Sequence, residues 1–117
     1  MGLFGSGAQL TVSLHEALAL LKDDAALVDV REPDEWEAGH APDAIHIPLA
    51  EVPRSPNGID PTKPVLVICR SGRRSLTAAA QFRDAGLDAV SVNGGMVAWQ
   101  QAGGLVVRNG GDPGTII

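Results

Sequence analysis

Two stretches of the chain are apolar almost without interruption and too short for helices, residues 25–30 (AALVDV) and 64–68 (PVLVI). Neither shows the two-residue alternation of a half-exposed strand, so both are predicted to be buried strands of a parallel sheet. Around them the spacing of apolar positions changes to helical. Leu14, Ala17, Leu18 and Leu21 recur at three- and four-residue intervals behind Ser13, Leu14, His15 and Glu16, a capping box in which Ser13 accepts from first-turn amides and Glu16 reaches back. This predicts a first helix ending near Lys22. Residues 33–38 (PDEWEA) open with proline and acids and stop at Gly39, the pattern of a short helix. Residues 73–85 place Leu76, Ala79, Ala80 and Phe82 for a helix lying on a sheet, with Gly86 at its end. A last helix is expected over residues 96–102, between Gly94-Gly95 and Gly103-Gly104.

Residues 44–47 and 89–92 are expected as shorter strands, residues 48–52 as at most one helical turn, and residues 105–107 as an edge segment. Pro56, Pro61 and Pro64 make residues 54–63 a surface connection. Strands alternating with helices imply an α/β domain with a mainly parallel sheet covered on both faces. The domain is expected over residues 9–108, with residues 1–8 and 109–117 as tails; no internal repeat is seen.

Composition narrows the function classes. A chain of 117 residues fits one domain with a single core. Nine Lys and Arg against fourteen Asp and Glu give a net charge of −5, the wrong sign for a protein that lives on phosphate backbones or anionic membranes. One cysteine cannot form an internal disulfide, which favours a reducing compartment. With no apolar run approaching the roughly 18 residues of a membrane span and no Lys or Arg before residue 11, the expectation is a soluble cytoplasmic protein, monomeric or weakly dimeric. Met1-Gly2 with Ser6 matches the loose myristoylation pattern, but Gly2, Gly5 and Gly7 equally suit a flexible tail. His15, His40 and His46 lack a metal-ligand spacing, so neither a metal nor another cofactor is expected.

The chemistry concentrates in Cys69, Arg70, Ser71, Gly72, Arg73, Arg74 and Ser75, between a strand and a helix. Ligands of open α/β sheets bind at the carboxyl ends of strands. A loop wrapped over a helix N-terminus directs backbone N–H groups and the positive end of the helix dipole inward, forming an anion cradle. A thiol in that cradle has its thiolate stabilised and its pKa lowered below the reference of about 8.5, which makes Cys69 a nucleophile at neutral pH. Ser71 and Ser75 can donate to the sulfur, and Gly72 allows the tight turn. Three arginines within five residues of an acidic protein point to an anionic substrate.

The sequence resembles the rhodanese family of sulfurtransferases. The stretch LVDVREPDEW from Leu27, then GHAPDA from Gly39 and IPL from Ile47, resembles the family's N-terminal signature; CRSGRRS from Cys69 resembles its active-site loop, and NGGMVAW from Asn93 the start of its final helix. Ala41 and Asp43 stand where members often have Ile and Gly. The resemblance implies a three-layer α/β/α rhodanese-like fold around a five-stranded parallel sheet, and a catalytic cysteine that carries sulfur as a persulfide. Cys69 would then take sulfur from thiosulfate or a related sulfane donor and pass it to cyanide or a thiol. With no second cysteine, the acceptor comes from outside the chain, and Arg70, Arg73 and Arg74 attract the anionic donor.

Asp29 and Arg31 are read as partners in structural hydrogen bonds that could support the site, His40 as a structural histidine, and Trp36 and Trp99 as packing residues. Two other functions share Cys69. A carrier module would accept sulfur from a partner in a sulfur relay and hand it on. A cysteine-based phosphatase or arsenate reductase would need an arginine six residues after the cysteine, where this chain has Ser75.

Overall fold

The structure is a computed structural model that describes residues 9–52 and 58–117. The expected N-terminal tail, residues 1–8, and the first part of the expected connection over residues 54–63 lie outside the described residues. Five strands form one all-parallel sheet: β1 (Thr11–Val12), β2 (Ala26–Asp29), β3 (Ile45–His46), β4 (Val65–Ile68) and β5 (Ala89–Val92), in the spatial order β1-β5-β4-β2-β3. Between them run α1 (Leu14–Lys22), α2 (Pro33–Ala38), a 3-10 turn (Leu49–Glu51), α3 (Arg73–Asp84) and α4 (Gly95–Gln101).

Local sequence accounts for most element ends. Ser13 caps α1 and Glu16 returns the bond, the reciprocal capping box expected from the spacing. Pro33 occupies the first turn of α2, where its missing N–H costs nothing. Gly86, just past α3, has φ +90°.

The central strand shows why two short apolar runs organise the domain. All four side chains of β4 are fully buried, and they alternate between the two faces of the sheet. Val65 and Val67 join the core built with Ala78, Ala79 and Phe82 of α3. Leu66 and Ile68 join the opposite core with Ala17 of α1 and Met96 of α4. Burying both faces produces the three-layer α/β/α arrangement. It also gathers the carboxyl ends of β2, β4 and β5 along one edge, with Asp29 of β2 in register with Ile68 of β4.

Two details depart from expectation. The fifth strand is Thr11–Val12, paired in parallel with β5, whereas Val107 forms isolated antiparallel bridges to His40 and Pro113 outside the sheet. Val107 exchanges both backbone bonds with His40 at 2.9 Å, so this segment pairs with the loop after α2 and not with a strand of the sheet. Residues 109–117, expected as a tail, turn through Gly110-Gly111 and fold back. Backbone bonds tie Gly114 to Val106 and Thr115 to Ala38, and Ile116 packs against the α1–α4 core.

Candidate active site

Cys69 is the first residue beyond β4 and is 1% exposed. The chain then turns through Arg70 and Ser71 to Gly72, whose φ of +114° belongs to the left-handed region that glycine enters without strain. Gly72 is the N-cap of α3 and supplies no capping side chain. The first-turn amides of α3 therefore need another acceptor, and the Cys69 sulfur takes that place. Gly72 N–H donates to Sγ at 3.1 Å, and the Ser75 hydroxyl lies 3.3 Å from Sγ. Burial pushes the Cys69 pKa up; the Ser75 hydroxyl and the backbone N–H groups of Ser75, Gly72 and Ser71 outweigh it, and the net displacement is downward.

The loop is held from behind by α4. Met96 N–H donates to the Cys69 carbonyl at 2.8 Å and Val97 N–H to the Arg70 carbonyl at 3.0 Å. Gly95 makes this approach possible. A β-carbon there would overlap the Cys69 carbonyl oxygen and lie 2.6 Å from the Arg70 carbonyl carbon, at a φ of +55°. The motif beginning at Asn93 thus works as the backing plate of the cysteine loop.

The three arginines take different positions. Arg74 forms a two-pronged pair with Glu35 of α2, Nη1 to Oε1 at 2.6 Å and Nη2 to Oε2 at 2.9 Å. This pair holds the Glu35 carboxyl below the usual range and raises the Arg74 pKa further. Arg70 donates through Nε to the Ile117 carbonyl oxygen at 3.0 Å. Arg73 is exposed. Two cations in the first turn of α3 oppose the helix dipole, and Glu35 compensates one of them.

Asp29 and Arg31, at the end of β2, are both fully buried and spend their charges on each other. Asp29 accepts from Arg31 N, Nε and Nη2 at 2.8–3.1 Å, and Nη2 also donates to the Gly39 carbonyl at 2.6 Å. The structure gives His40 architectural partners. Its Nδ1 bonds the Trp36 carbonyl at 2.7 Å, its backbone bridges Val107, and its ring stacks on Trp36 at 3.6 Å between centroids. Trp36 also stacks with His46, 4.7 Å between centroids, and His46 Nε2 donates to the Arg31 carbonyl. Among the described residues no hydrogen bond joins His40 to the cysteine loop.

Sequence reasoning missed Glu35, Ser91 and the contact from Ile117. Glu35 and Ile117 lie 39 and 47 residues from their partners and carry no local signal. Ser91 did carry one, as the single polar residue of the buried strand AVSV. Among the described residues no group of three or more His, Cys, Asp or Glu side chains could hold a metal ion, and no helix is long and apolar enough to cross a membrane.

Comparison with known proteins agrees with this geometry. The rhodanese-like domain model matches residues 13–102. A protein of Bacillus subtilis, YtwF, named as a candidate sulfurtransferase, is 37% identical over 90 residues, covering 77% of this chain and 86% of its own. The thiosulfate sulfurtransferase GlpE of Pseudomonas syringae is 37% identical over 87 residues, covering 74% and 82%. A crystal structure of a rhodanese-related protein from Thermoplasma volcanium superposes with a TM-score of 0.75 at 31% identity, covering 83% of this chain and 96% of that one. A cysteine cradled at a helix N-terminus, on a five-stranded parallel sheet, is here the loop of a rhodanese-like domain, and the chain belongs to that family. The Bacillus subtilis and Pseudomonas syringae relatives, both 37% identical, are named as sulfurtransferases.

Proposed function

We propose that the protein is a thiosulfate sulfurtransferase working through a persulfide on Cys69. The observation that carries this reading is the capping role of the sulfur: Gly72 N–H, the Ser75 hydroxyl and the start of α3 converge on an atom that, among the described residues, has no cationic side chain bonded to it. Such a cradle stabilises a thiolate before attack and a persulfide anion after it. The Cys69 thiolate attacks the outer sulfur of thiosulfate. A bond forms between the two sulfurs, the S–S bond of thiosulfate breaks, and sulfite leaves with the bonding pair. Cyanide or a thiolate then attacks the outer persulfide sulfur, giving thiocyanate or a new persulfide and restoring the Cys69 thiolate.

Arg70 and Arg73 are the cations available to draw in a doubly charged donor, because Arg74 is neutralised by Glu35. GlpE is named for thiosulfate, which supports that donor. A second reading rests on the single cysteine: with no resolving thiol in the chain, sulfur could arrive from and leave to partner proteins in a relay. A phosphatase is disfavoured by Ser75, which occupies the position of the required arginine and bonds the sulfur instead. Steady-state release of sulfite, with thiosulfate varied against cyanide, tests the proposal. Saturation by free thiosulfate supports it; turnover that stays slow and linear in thiosulfate, and accelerates only with a persulfide-bearing protein, supports the relay.

A further inference from the structure

Behind Cys69 the hydrogen bonds form a closed circuit. Sγ meets Ser75 Oγ at 3.3 Å, Ser75 Oγ meets Ser91 Oγ at 2.7 Å, Ser91 Oγ lies 3.4 Å from the Gly72 carbonyl, and Gly72 N–H returns to Sγ at 3.1 Å. Cys69, Ser75 and Ser91 are each at most 1% exposed. Protons in this row have two consistent orders. With a thiol, S–H donates to Ser75, Ser75 to Ser91, and Ser91 to the Gly72 carbonyl. With a thiolate, Ser91 donates to Ser75 and Ser75 donates to sulfur, so both hydroxyls reverse together.

The lengths decide which order the protein favours. The bond from Ser91 to the Gly72 carbonyl is at the outer limit and worth little, whereas the Ser75–Ser91 bond has the short length of a strong hydroxyl pair. Losing the first on ionisation costs little, and a Ser75 oxygen that accepts from Ser91 is a better donor to sulfur. We propose that Ser91 is a positioning residue for the sulfur chemistry: from β5 it turns the Ser75 hydroxyl toward Cys69 and stabilises the anionic sulfur without touching it. This deepens the persulfide reading and rests on it for its functional meaning.

The charged groups around the thiol lie elsewhere: Arg70 in the loop, Arg73 and Arg74 on α3 with Glu35 of α2 on Arg74, and the paired Asp29 and Arg31 at the end of β2. Neither β5 nor α4 contributes an ionisable side chain. A change at Ser91 therefore acts on the hydroxyl row alone. The test is the pH profile of iodoacetamide alkylation of Cys69, a readout that needs no sulfur donor. Ser91→Ala is expected to raise the midpoint by about half to one pH unit, leaving three- to tenfold less thiolate below both midpoints. Ser91→Thr, which keeps a hydroxyl, is expected to restore the profile. In a Ser75→Ala background, Ser91→Ala is expected to change nothing further.

An unchanged midpoint in Ser91→Ala overturns the proposal. So does an equal shift with and without Ser75, which would make Ser91 merely structural. If wild-type Cys69 takes up no sulfur from thiosulfate or from a persulfide-bearing protein while these shifts are seen, the persulfide reading fails and the hydroxyl row stands.

Discussion

Two buried polar clusters sit at the carboxyl edge of one sheet, about a strand apart, and they are built on opposite plans. At the end of β2, Asp29 and Arg31 form a buried ion pair, with the Gly39 carbonyl accepting from Arg31 Nη2 and His46 donating to the Arg31 carbonyl. Beyond the end of β4, Cys69, Ser75 and Ser91 include no permanently charged group, yet the donors around them converge on a single sulfur. The first cluster turns its charges inward on each other, leaving Arg31 Nη1 as its one buried nitrogen without a hydrogen-bond partner among the described residues. The second is organised around a charge that it does not always hold. Buried polarity that balances internally holds architecture, and buried polarity aimed at one titratable atom prepares chemistry.

This contrast predicts different failures. The largest is Arg31→Ala, which strands the Asp29 carboxylate in the interior and is expected to cost about 3–5 kcal/mol. Cys69→Ser removes no charge partner and is expected to stay within about 1 kcal/mol of wild type while abolishing sulfur transfer. Paired thermal melts and turnover assays read both. Equal destabilisation by the two substitutions would erase the distinction between the clusters.

Gly95→Ala tests the backing of the loop. The added methyl meets the Cys69 carbonyl in a left-handed backbone, so a stability loss of about 1–3 kcal/mol is expected. Turnover is expected to fall far more than melting temperature, because the displaced carbonyl belongs to the nucleophile itself. A variant with wild-type turnover would show that α4 does not set the loop.

Smaller effects belong to the arginines. Arg70→Gln and Arg73→Gln are each expected to raise the KM for thiosulfate several-fold at low salt, with little change for a neutral sulfane donor. Arg74→Gln is expected to act less on KM, since Glu35 already offsets its charge. The Glu35 pKa is lowered by that pair, so its contribution to folding is complete above the ordinary carboxylate range and is lost as pH falls through the folded value. Melting of wild type and Glu35→Gln should therefore converge on acidification below about pH 4. A gap that stays constant down to pH 2 would contradict this linkage.

Much of this was legible in the chain because the signals are local. The Ser13–Glu16 box, Pro33 at the start of α2, the all-apolar β4 and the compact CRSGRRS loop each carry their structure within a few residues. Two-residue β1 had no such signal; it exists through its pairing with β5. The fold-back of residues 109–117 depends on backbone bonds to Ala38 and Val106, which side-chain pattern does not reveal. At the site the nucleophile and its cradle were visible together, whereas Glu35, Ser91 and the α4 amides reach the loop from distant segments. Their roles follow only from the sheet order that places β4 between β5 and β2.

The central claim is that the cradle makes the Cys69 sulfur the carrier of transferred sulfur, and intact-mass measurement after thiosulfate treatment without an acceptor tests it most directly. The wild-type chain is predicted to gain one sulfur atom, lost again on adding cyanide, and Cys69→Ala to gain none. An added sulfur that persists in Cys69→Ala, or a wild-type mass that never changes, would contradict the account.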